Sequence, residues 1–261
     1  MSKGDRNRQR ARERVAQMRA LEAKRRRRRR FLAAASAVLV VAGAGTGIGL
    51  AVASSSPGST ASGGGTPALK LAALSTLGTL RPAPAAGSAG PEGVPVPAAP
   101  PLAGTAAAAT GQDVDGISCQ ASEQVIFHIH AHLTIVVNGS QRQIPAGIGI
   151  PGAQATSTAQ GPYIGSGTCF YWLHTHAADG IIHIESPVQR TYTLGDFFDE
   201  WGQPLSTTRV GPATGHVTAL YDGKVYRGNP RNIPLNAHAQ IQLEVGTPLV
   251  AQQTITFPGS L

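Results

Sequence analysis

The chain has 261 residues, with 22 Lys and Arg against 14 Asp and Glu, a formal net charge of +8. Residues 1–30 hold 14 of the basic side chains and three acids, whereas the rest of the chain holds 8 basic and 11 acidic side chains. This asymmetry excludes a uniformly basic nucleic-acid-binding fold, and all eight histidines lie beyond residue 127, in the mildly acidic part.

The basic segment, 1–30, closes on Lys24 and Arg25 to Arg30. No aromatic residue accompanies it, so setting membrane topology and touching anionic lipid fit it better than nucleic-acid binding does. Residues 31–53, FLAAASAVLVVAGAGTGIGLAVA, carry no charge. At about 1.5 Å per residue this run is long enough to cross a hydrocarbon core of about 30 Å. The arginine cluster predicts a cytoplasmic N-terminus, a single-pass anchor in the lipid membrane, and a C-terminal part outside the cell. Ala51-Val52-Ala53 resembles a cleavage site, so a cleaved signal peptide is the rival reading. Residues 54–118, rich in Pro, Ala, Gly and Ser and without aromatic side chains, predict a disordered tether.

Residues 119–261 read as one α+β domain: a mostly antiparallel sheet of roughly six to eight strands, built from hairpins and covered by one helix. In FHIHAHLTIVV, Phe127 to Val137 alternate apolar residues with His128, His130 and His132, the period of a strand. Asn138-Gly139, Asp179-Gly180 and Asp222-Gly223 each predict a two-residue hairpin turn. Residues 239–245 and 252–257 predict two further strands. Leu194, Phe197, Phe198 and Trp201 follow helical spacing after Thr193 and Asp196, an imperfect capping box, and Gly202 stops the helix. The only cysteines, Cys119 and Cys169, predict a disulfide in an oxidising compartment.

The chemistry concentrates in YWLHTHAADGIIHIES, 171–186. With Asp179 and Gly180 as turn residues, His176 faces His183 and His174 faces Glu185, and all four share one side of the ribbon. If the strand 127–137 lies beside that ribbon, His128, His130, His132, His174, His176, His183 and Glu185 converge. Their nitrogen and oxygen donors suit Zn²⁺, Cu²⁺ or Fe²⁺. Soft Cu⁺ is disfavoured, because Met1 and Met18 both fall in the basic segment. The bland alternative is a wet sheet face whose histidines bond to water. His238 shares its face with Gln240, Gln242 and Glu244, which reads as solvent, and His216 follows Gly215 at a strand start, so neither is expected as a ligand, and Asp179 is expected to serve the turn.

FHIHAHL, IPAGIGI, WLHTHAADGIIHIE and YTLGDFFDEWG, in this order, resemble an uncharacterised family of prokaryotic extracytoplasmic domains, usually behind one membrane anchor. The resemblance spans roughly residues 119–205 and implies fold and location but no activity. Where that family often carries an acid after the second His of HTH, this chain has Ala177. Cupins also carry HxH, but their carboxylate follows closely, whereas Glu185 lies nine residues beyond His176.

Three functions follow from the residues. The first is a metal-binding module acting as carrier or sensor. The second is a metal-dependent hydrolase or oxygenase-type enzyme with Glu185 as base or ligand. The third is a metal-free adhesion domain on a stalk. No Ser-His-Asp, Walker or dinucleotide motif supports another enzyme class.

Overall fold

The computed structural model describes residues 69–261. The basic segment, the apolar run 31–53 and the first part of the expected tether, 54–68, lie outside the described residues. The described part is mostly sheet with one α-helix.

Eight strands make the main sheet. In chain order they are β1 (Leu71–Ala73), β2 (Phe127–Val137), β3 (Ser140–Arg142), β4 (Leu173–His174), β5 (Ile181–Ser186), β6 (Val217–Tyr221), β7 (Lys224–Tyr226) and β8 (Gln240–Val245). Their spatial order is β1-β7-β6-β8-β2-β5-β4, with β3 also paired to β2. All pairs are antiparallel except β8 with β2, where Gln240 faces His132 and Val245 faces Val137. The long strand β2 is the spine. Its first half pairs with β5, from Phe127 opposite Ser186 to His132 opposite Ile181, and its second half pairs with β3.

Alternation along β2 works as the residues predict. Ala131, Leu133 and Ile135 enter the core with Ile182 and Ile184 of β5 and Leu243 of β8. Over them lies α1 (Leu194–Glu200), whose capping box is complete: Asp196 N–H donates to Thr193 and Thr193 N–H donates to Asp196. Leu194, Phe197, Phe198 and Trp201 are fully buried. Burying each such side chain stabilises by about 1.5–3 kcal/mol, which ties the helix to the sheet.

Two hairpins form as expected. Asn138-Gly139 and Asp222-Gly223 all have positive φ, the conformation of a type I′ turn. The third expected hairpin differs. His174 pairs with His183 rather than with Glu185, a shift of two residues, and 175–180 form a longer loop. Side chains alternate with period two, so this shift changes partners but keeps faces. Residues 252–257 form no strand. They lie along β8 through glutamine side chains: Gln242 Oε1 accepts from Gln253 N–H at 2.8 Å and Gln240 Oε1 from Ile255 N–H at 2.8 Å. The amide side chains take the place of a backbone ladder.

The tether expectation is corrected for residues 69–118. They fold against the sheet: β1 pairs with β7, Arg81 bridges Val250, and Pro101 bridges Gln143. Val94, Leu102, Ala109 and Ile117 are buried. A segment without aromatics cannot build a core alone, but it can supply small apolar side chains to a core already formed. Cys119 and Cys169 form the expected disulfide.

Candidate metal centre

Two strands and one loop bring the histidines together. On β2, the face opposite the core carries His128, His130 and His132. On β5 it carries His183 and Glu185, and His128 stands opposite Glu185 while His130 stands opposite His183. β4 adds His174, opposite His183, and the loop after it adds His176. The edge of this segment is fixed by the 147–149 turn: Gly147 N–H donates to Thr175 O, Thr175 N–H to Ile148 O, and Tyr171 N–H to Gly149 O. Gly149 sits at φ +70, and a Cβ there would lie 2.1 Å from Leu173 O, so only glycine permits this close approach.

The result is two overlapping sets of potential ligands: His128, His130, His183 and Glu185, and His174, His176, His183 and Glu185. Within each set, one donor atom per residue lies within 4.8 Å of all the others. The wet-face alternative is corrected, because His130, His174, His176, His183 and Glu185 are all buried. Only His128 stays open, its side chain 38% exposed.

In the first set four atoms form a closed loop. His128 Nε2 is 3.1 Å from His130 Nε2, which is 3.1 Å from His183 Nδ1. Glu185 Oε1 completes it, 3.5 Å from His183 Nδ1 and 3.0 Å from His128 Nε2. Ligands about 2.0–2.1 Å from a tetrahedral ion stand about 3.3–3.4 Å apart, which these edges match. Protons serve the loop less well. A ring nitrogen offers either one N–H or one lone pair, and each nitrogen here has two neighbours.

The second set is starker. His174 Nδ1 faces Tyr171 O at 2.9 Å, and His176 Nδ1 faces Ile164 O. A carbonyl only accepts, so both Nδ1 atoms carry the hydrogen and both Nε2 atoms of the neutral rings carry a lone pair. Those two Nε2 atoms face each other at 3.2 Å. Backbone carbonyls that fix a tautomer in this way are the usual support of metal-ligating histidines. Burial holds His174 down to about 3, with His176 adding to it, and burial also lowers His176, so a proton does not readily fill the gap.

Carboxylates surround the cluster. His183 Nε2 is 2.7 Å from Glu92 Oε1. Burial pulls the His183 pKa down, but hydrogen bonds to Glu185 and Glu92 outweigh it and raise the value to about 9. Burial pushes Glu185 up, yet bonding to His128 and His183 carries it well below the ordinary carboxylate range. Burial and the two neighbouring histidines hold His130 down to about 2. Glu123 Oε1 is 3.6 Å from His176 Nε2, and burial followed by the Glu185 charge raises its carboxyl to about 7.

His132 departs from the expectation. It shares the face of His128 and His130, but its Nε2–H donates to Asp179 O at 3.0 Å and it belongs to neither ligand set. Burial lowers it to about 4. It pins the 175–180 loop to β2, next to the Leu133 N–H to Gly180 O hydrogen bond of 2.9 Å. Asp179 serves the turn as expected, with Oδ1 accepting Ile181 N–H at 3.1 Å. Its carboxyl is nonetheless raised to about 7, first by burial and then by Glu92. His216 and His238 lie outside both sets. Glu92 and Glu123 were not legible in the sequence, since one lies in the expected tether and neither belongs to a periodic pattern.

Comparison of the chain with protein families, with curated proteins and with solved structures finds no match.

Proposed function

We propose that this is a single-pass, membrane-anchored extracytoplasmic domain that holds a divalent transition metal (Zn²⁺, Cu²⁺ or Fe²⁺) in its buried histidine cluster, as carrier or sensor. One observation supports the metal above all: two buried Nε2 lone pairs, on His174 and His176, face each other at 3.2 Å with both Nδ1–H groups committed to carbonyls. Such a contact is repulsive until a cation occupies it. Holding is favoured over catalysis because the set His128, His130, His183 and Glu185 supplies four protein ligands to one ion, whereas a catalytic zinc keeps one position open. The location outside the membrane rests on the sequence, through the Arg25–Arg30 cluster before the uncharged run 31–53. Anionic lipid at the basic segment is part of the same reading.

The test is direct. The full chain, purified in mild detergent, is stripped with chelator, loaded separately with Zn²⁺, Cu²⁺ and Fe²⁺, desalted, and assayed for metal and protein. Stoichiometric retention of at least one ion is expected, because a preformed site binds tightly. Retention near zero for all three would remove the reading.

A further inference from the structure

The two ligand sets overlap only in His183 and Glu185. Five imidazoles and one carboxylate are more than one four-coordinate ion can use, and the pairs His128/His130 and His174/His176 occur in different sets. We propose that the cluster holds two transition-metal ions that share Glu185. One is bound by His128, His130 and Nδ1 of His183, the other by His174 and His176. This rests on the metal-binding reading above and adds stoichiometry and arrangement to it.

Three features of the site support a second ion. The first is the orientation of Glu185: Oε1 belongs to the loop with His128 and His183, while Oε2 is buried without a partner. A buried carboxylate oxygen with no hydrogen bond costs stability, and a second ion would satisfy it. The second is the position of the His183 ring, which packs edge-on against His130 and against His176, each at 4.5 Å between centroids. Its Nδ1 is directed to the first loop and its Nε2 to Glu92. His174 and His176 thus remain with an unshared pair of lone pairs that the first ion does not use. The third is the supply of oxygen donors: Glu185, Glu92 and Glu123 place three carboxylates around the rings. Glu123, 3.6 Å from His176 Nε2, is placed to complete the shell of the second ion. Ions bridged in this way stand on the order of 3.5–4 Å apart.

The experiment counts ions in the full detergent-solubilised chain after loading with Zn²⁺ and, separately, with Cu²⁺. The wild type is expected to retain two ions per chain. The double variants H128A/H130A and H174A/H176A, checked for native circular dichroism, are each expected to retain one. A wild type that saturates at one ion overturns the two-ion proposal and leaves the metal-binding reading standing; a wild type that retains none overturns both. Loss of both ions from a folded double variant overturns the division of ligands. Should neither double variant fold, the copper-loaded wild type and Glu185→Gln decide by electron paramagnetic resonance. Bridged ions couple, so the wild-type signal is expected to integrate to less than half of its copper, and the variant signal to approach all of its copper. A wild-type signal equal to its full copper content overturns the shared carboxylate.

Discussion

At the scale of single residues, the cluster shows how alternation along a strand places donors and how local contacts then select among them. His128, His130 and His132 have the same spacing and the same face, yet only the first two join the ligand sets, because the Asp179 carbonyl claims His132. His176→Ala is therefore expected to weaken metal affinity by more than the about 10–100-fold typical of losing an outer-shell partner, whereas His132→Ala should leave the ion count unchanged and lower the melting temperature. Calorimetric titration and thermal unfolding separate the two. His183 governs the pH response. Its folded pKa of about 9 lies above the ordinary value, so its proton stabilises the metal-free fold fully below about pH 6.5 and ceases to do so as pH rises through about 9. Metal must displace that proton. Apparent affinity is expected to rise about tenfold per pH unit between about 7 and 9 and then level off, as measured by competition against a chelator of known pH dependence. That His128 and His130 share one strand face, and that His174, His176, His183 and Glu185 share one face of the ribbon, was legible from period-two spacing; that the two elements lie side by side was not, since it depends on pairing between strands far apart in the chain. The exclusion of His132 was not, since it depends on a loop whose path no spacing encodes.

At the scale of elements, pairing decided more than composition did. The strand β2, the helix α1 and the two Asn-Gly and Asp-Gly turns follow from local residue preferences, and they form where the sequence predicts them. Asp179-Gly180 carries the same turn signal but yields to tertiary contacts. Gly180, at φ +87, lies so close to β2 that a Cβ would sit 2.4 Å from Leu133 O. The segment 69–118 was illegible for a related reason: its small apolar residues show no period, and they become ordered only against a sheet made by residues far along the chain. A chain beginning at residue 119 would lose buried Val94, Leu102 and Ile117 as well as Glu92. At about 1.5–3 kcal/mol per buried aliphatic side chain, that loss rivals the whole stability of a domain, about 5–15 kcal/mol. Such a truncation is expected to unfold non-cooperatively in urea, and a sharp wild-type-like transition would contradict the packing. The disulfide joins Cys119, four residues before Glu123, to Cys169 just before β4. Closing a 50-residue separation, it is expected to contribute about 4 kcal/mol in the chain-entropy model. Denaturation of Cys119→Ser/Cys169→Ser against wild type reads that difference.

At the scale of the whole molecule, the described residues 69–261 form a domain that keeps a nitrogen-rich cluster buried. The burial of both sheet faces makes the cage possible. The core face lies under α1, while the opposite face is covered by the N-terminal segment bearing Glu92 and by the C-terminal residues that lie along β8. X-ray absorption at the metal edge of the loaded full chain tests the central claim most directly. The account predicts a first shell of nitrogen and oxygen only, at about 2.0–2.1 Å for zinc, with outer-shell scattering from at least two imidazoles per ion. A spectrum without imidazole scattering would place the metal elsewhere and contradict the account.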